Sequence, residues 1–363
     1  MRVSLAFIFC SNFSTLVTSD TTFEGTNSTL PPIPLPEPDW NNIIRPFNYH
    51  ETFDTEHIPK VNTTYGEVTG TRRILKLDHR SKEFTLKIHG SVELESFYQI
   101  PYAAPPKRFE KAKRHGGFGV QGFDASTHKS GIDCDKTEID QYGNSCLRLS
   151  VHRPKPDRNG NYLKKAAMIY IHGGGYSMGS AEGTISIGNN NQYEPAALVS
   201  EGDIVFVSLN YRLNALGGLD TIGEKNKNFS VKGNFYLHDV NLAIDWVLEN
   251  AEEFGIDTDK ITVSGQSCGG PLASWTSVLP TLQGKIHRLY TISGNLASIY
   301  SGKNKFGKGS NFDTTRQLAS MNHCLNPDSE EMISCIKSKS FDDLRQLSFT
   351  NITWRPSFDE ELR

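Results

Sequence analysis

The sequence predicts an α/β fold in which a mostly parallel central sheet is flanked by helices. Three observations lead there. Four apolar runs, Ala166–Ile171, Asp203–Arg212, Lys260–Gly265 and Arg288–Gly294, are continuous rather than alternating. Strands covered by helices on both faces read this way. Between the second and third runs lies one clear amphipathic stretch. Its residues Val240, Ala243, Ile244, Val247, Ala251 and Phe254 step by three and four, which is one stripe of a helix. The resulting βαβ order surrounds a glycine-rich turn, Gly265-Gln266-Ser267-Cys268-Gly269.

Taken in chain order, the N-terminus comes first. Arg2, the apolar run Val3–Cys10 and the small residues Val17-Thr18-Ser19 have the layout of a secretory signal over residues 1–19. Residues 20–63 are polar, with five prolines between Pro31 and Pro38, and are expected to form an extended arm. The folded domain is expected to span 64–363. In its amphipathic stretch, Asp239 stands where a helix start is capped and Gly255 where a helix ends.

The chain has 363 residues, 37% apolar and 22% charged, with a net charge of −3. This small charge gives no electrostatic case for nucleic acid or an anionic membrane. No apolar run approaches the length of a spanning helix. With a signal, the sequons at Asn27, Asn62, Asn228 and Asn351 fit a glycosylated, secreted protein. If Cys10 leaves with the signal, Cys134/Cys146 and Cys324/Cys335 remain as two close pairs and Cys268 is left over. Two local disulfides suit an oxidising compartment; the alternative is five free thiols in a reducing one.

The chemistry centres on Ser267. A Gly-x-Ser-x-Gly turn between strand and helix strains the serine backbone and lifts its hydroxyl above the strand ends. The amide of Cys268 then points from a helix N-terminus toward a developing oxyanion. Pro271 falls in the first helical turn, where its missing N–H costs little. The second motif is His172-Gly173-Gly174-Gly175-Tyr176, directly after a strand. Adjacent glycines let backbone N–H groups face an anion. A phosphate loop is the competing reading, but the Gly-Lys-Ser/Thr ending is missing. Cys268 could itself be a nucleophile, although the elbow presents Ser267 and turns the next side chain inward.

These motifs, with Phe97–Phe109 (FYQIPYAAPPKRF), VFVSLNYRLNALGGL and the block running into GQSCGG, resemble the type-B carboxylesterase and cholinesterase-like family of α/β hydrolases. The resemblance runs from about Gly66 to the end. It implies a serine hydrolase of small-molecule carboxylic esters, with no cofactor and no metal. By position, Ser267 resembles the nucleophile and Gly174, Gly175 and Cys268 the oxyanion donors. Cys134–Cys146 and Cys324–Cys335 resemble the family's two disulfides. Three departures stand out. Asn144-Ser145 replaces the usual Glu-Asp before a paired cysteine, so a structural ion pair is not expected there. Cys268 replaces the usual alanine. The stretch between Cys134 and Cys146 has no tryptophan to stack a choline ammonium, which argues against a cholinesterase.

The fold's chain order is serine, then acid, then histidine. After Ser267 the histidines are His287 and His323, and neither sits in the family's catalytic-histidine segment. Asp359, Glu360 and Glu361 lie in a segment like the one that precedes the family's catalytic acid. The expectation is therefore a nucleophile and oxyanion loop without base or acid, in an incomplete piece of a longer esterase. The rival is a non-catalytic adhesion member of the same family, with a protein partner.

Overall fold

The computed structural model describes residues 49–77, 91–129, 132–134, 145–183, 193–221, 231–298, 310–345 and 354–357. All lie within one unit, Pro46–Arg363. The expected signal segment, most of the arm and the sequons Asn27, Asn228 and Asn351 lie outside the described residues, as do Asp359, Glu360 and Glu361.

The main sheet contains β1 (Tyr49–Asp54), β2 (Thr71–Leu77), β3 (Ser91–Pro101), β4 (Arg148–Pro154), β5 (Lys165–Ile171), β6 (Val205–Leu209), β7 (Ile256–Gln266) and β8 (Arg288–Ile292). Their spatial order is β1-β2-β3-β4-β6-β5-β7-β8. The neighbours β6/β5, β5/β7 and β7/β8 are parallel. These are the four apolar runs, and β5, β6 and β7 are buried at their centres, with Ile169, Val207 and Val263 fully enclosed. The other half, β1 to β4 and its junction with β6, is antiparallel. The sheet is thus mixed, and its antiparallel half carries charge inside. Arg73, Glu95 and Arg153 are buried, with Arg153 Nε donating to Glu95 at 2.9 Å and Arg73 Nη2 to Glu194 at 2.8 Å. Ion pairs make such burial tolerable, and they hide these strands from a hydropathy reading.

Residues 49–54 and 60–63 differ from the extended arm expected there. β1 hydrogen-bonds along β2, and Lys60–Thr63 pairs with Gly66–Thr69 in a small sheet. β1 is an edge strand whose described side chains are exposed or half-buried, so its sequence is polar. Backbone pairing and ion pairs, not apolar burial, hold it.

The helices are α1 (Ala196–Gly202), α2 (Asn214–Gly218), α3 (Phe235–Glu249), α4 (Gly269–Thr276), α5 (Asn311–Met321), α6 (Ser329–Lys337) and α7 (Phe341–Arg345). No described helix is long and apolar enough to cross a membrane. The stripe of α3 is buried as its spacing requires. Its ends differ from expectation. The helix starts one turn earlier, after Asn234, whose φ is +53° and whose side chain exchanges hydrogen bonds with Ser357. Asp239 lies inside the helix, where its carboxylate accepts from Arg212 Nε and Nη2, both at 2.7 Å. A buried guanidinium needs that carboxylate more than the helix end does. Gly255, with φ +69°, closes the turn beyond Glu249 rather than the helix itself.

Candidate active site

β7 ends at Gln266 and α4 begins at Gly269, which leaves Ser267 on the bend between them. Its φ is +53°, a left-handed conformation that costs a non-glycine residue about 1–2 kcal/mol. Neighbouring backbone holds it there. The Ser267 N–H donates to the Ile292 carbonyl at 2.8 Å, and its carbonyl accepts the Gly270 N–H at 3.0 Å. The flanking glycines are sterically required. A Cβ at Gly265 would overlap the Gly269 carbonyl. One at Gly269 would overlap the Ile171 carbonyl and lie 2.6 Å from that of His172. The bend is therefore wedged against the end of β5.

The glycine loop leaves that same strand end. A Cβ at Gly173 would lie 2.8 Å from the Gln266 carbonyl oxygen and 3.1 Å from Ser267 Cβ. Loop and elbow are thus in direct contact. Gly174 and Gly175 have φ of +113° and +64°, and the Gly174 carbonyl accepts the amides of Ser177 and Met178, both at 3.1 Å. The loop is anchored by His172, which is fully buried. Its Nδ1–H donates to the Gly173 carbonyl at 2.7 Å, and its ring stacks on Tyr211 at 4.4 Å. Burial holds this imidazole neutral, with its pKa pushed down to about 4. Burial also pushes the Cys268 thiol up, so a thiolate nucleophile does not fit the site.

The bend and loop thus bring Gly173 against Ser267 and the Tyr176 amide against Cys268, with Gly174 and Gly175 on the stretch of loop between those two contacts. The two cysteine pairs form disulfides, Cys134–Cys146 and Cys324–Cys335, and Cys268 is free and buried. Asn62 is exposed on its strand. His287 is also exposed, just before β8. Ile292, not His287, meets Ser267, and five residues of strand separate them by about 16 Å. His323 is exposed beside Cys324. Among the described residues the Ser267 hydroxyl has no histidine or carboxylate partner, and no cluster of side chains could hold a metal ion. Gly294 and Tyr211 escaped the sequence reading. A Cβ at Gly294 would overlap the Ser267 carbonyl, yet in sequence it is one more glycine after a strand. Tyr211 reads as an ordinary core aromatic.

Residues 57–362 match the carboxylesterase family model. The chain belongs to the carboxylesterase family. This membership carries the α/β-hydrolase fold and, at the level of the family, ester hydrolysis. The chain is 35% identical to bile salt-activated lipase of Bos taurus over 55% of its length and 33% of that protein's. It is 30% identical to acetylcholinesterase-1 of Trittame loki over 69% and 45%. It is 28% identical to neuroligin-2 of Mus musculus over 80% and 36%. The aligned region covers less than half the length of each of these relatives.

Proposed function

We propose that this chain carries the nucleophile and oxyanion-binding half of a serine carboxylic ester hydrolase. The observation behind this reading is Ser267 at φ +53° on a strand-to-helix bend, in direct contact with the glycine loop at Gly173. In the reaction, Ser267 Oγ attacks the acyl carbonyl of a small-molecule ester. The amides of Gly174, Gly175 and Cys268 take the oxyanion, the alcohol departs, and water releases the acid. Each such donor is worth about 10²–10³ in rate. The hydroxyl proton goes to a base that the described residues do not supply.

The second reading, a non-catalytic binding member of the family, is favoured by the similarity to neuroligin-2. Fluorophosphonate labelling of the full-length protein, followed by peptide mass spectrometry, separates the two. An adduct on Ser267 is expected; its absence would favour binding over hydrolysis. We also assign the protein to the secretory route, in keeping with its two disulfides and its exposed Asn62 sequon. Expression in secreting cells should yield a glycosylated product in the medium, with Asn62→Gln removing one glycan's mass.

A further inference from the structure

We propose that Cys268 is a positioning residue for the glycine loop. Its thiol meets the Tyr176 amide at 3.3 Å and the Tyr211 hydroxyl at 3.8 Å, and so sets where the Gly174 and Gly175 amides stand beside Ser267. The inference rests on the reading above that these amides take the oxyanion. An oxyanion donor at position 268 requires the backbone N–H alone, so the side chain is free for another task. Here it is fully buried and reaches the far end of the loop.

The proton directions form one chain. The Tyr211 hydroxyl donates to the His172 carbonyl at 2.8 Å. Its oxygen lone pairs then receive the Cys268 S–H, and the sulfur lone pairs receive the Tyr176 N–H. Both ends of the loop, His172 and Tyr176, are thereby tied to the residue that follows the nucleophile. Donors and acceptors linked in series reinforce one another.

Sterics leave this task open. A Cβ at Gly175 would meet nothing within 4 Å, so no wall confines the backbone on that side. The peptide joining Gly175 to Tyr176 is instead oriented by its N–H on sulfur. Tyr176 itself is buried with φ +61°, where a displaced amide would lack water. Alanine at 268 would keep the oxyanion amide and remove the anchor. Serine would keep both a donor and an acceptor.

The test compares Cys268→Ala and Cys268→Ser with wild type in the whole protein by two readouts. In hydrogen exchange, the Tyr176 amide should exchange about tenfold faster in C268A, close to wild type in C268S, and core strands should not change. In p-nitrophenyl ester hydrolysis, kcat should fall about tenfold in C268A with KM within about twofold, and C268S should recover most of the loss. Unchanged Tyr176 exchange in C268A, or C268S as impaired as C268A, would overturn the proposal. If wild type neither turns over ester nor labels at Ser267, the hydrolase reading fails, and the exchange comparison alone decides the thiol's role.

Discussion

Gly173→Ala tests whether the glycine loop bears on the elbow. The added methyl would overlap the Gln266 Oε1, which its side chain can swing away, and would lie 2.8 Å from the Gln266 carbonyl oxygen and 3.1 Å from Ser267 Cβ, against 3.4 Å for an ordinary contact. The loop or the elbow must retreat by about half an ångström. A displacement of about 1 Å at a reacting centre can cost about 10²-fold in rate, so half of it should cost about tenfold. That is about 1.4 kcal/mol in the barrier. The clash should also lower stability by about 1–3 kcal/mol, as overpacking does. Gly160→Ala separates the two effects. Gly160 has φ +80° with no atom within 4 Å of its added methyl, so that variant strains the backbone far from the site. The assay is the second-order rate of Ser267 phosphonylation by a fluorophosphonate, with circular dichroism to confirm the fold. G173A should react about tenfold more slowly and G160A at the wild-type rate. A folded G173A that reacts as fast as wild type would refute the contact's role in the chemistry.

Further outcomes follow from the same geometry. Asp239→Ala should destabilise by about 3–5 kcal/mol in urea unfolding, because it strands the buried Arg212 guanidinium, while the double variant R212M/D239L should recover most of that loss. His172 is neutral when folded, with its pKa lowered to about 4, so the unfolded chain binds its proton first as pH falls below about 6.5. Its contribution is therefore complete above that pH and lost by about pH 4, and His172→Phe should flatten the slope of unfolding free energy across this window. Removing the Cys324–Cys335 bridge with C324S/C335S should lower stability by about 2–4 kcal/mol, given the short loop it closes, as read by thermal or denaturant unfolding.

How much of this was legible in the sequence depended on whether the signal was local. The parallel strands announced themselves because burial on both faces demands unbroken apolar residues, and Ile169, Val207 and Val263 meet that demand. Ser267 was legible for a related reason: a left-handed serine between strand and helix tolerates no Cβ at Gly265 or Gly269. The antiparallel half was not legible. Its buried positions include Arg73, Glu95 and Arg153, whose burial is tolerable only with partners far away in the chain. Asp239 misled for the same reason. As a lone residue it suits a helix cap, and only its meeting with Arg212, on the loop after β6, shows it as half of an ion pair. Cys268 completes the pattern. Beside Ser267 in sequence it reads as a small filler, but its hydrogen bonds exist only because Tyr176 and Tyr211 arrive from two other strand ends. Spacing along the chain thus locates the candidate nucleophile, whereas the groups that hold its surroundings are defined by pairings between elements.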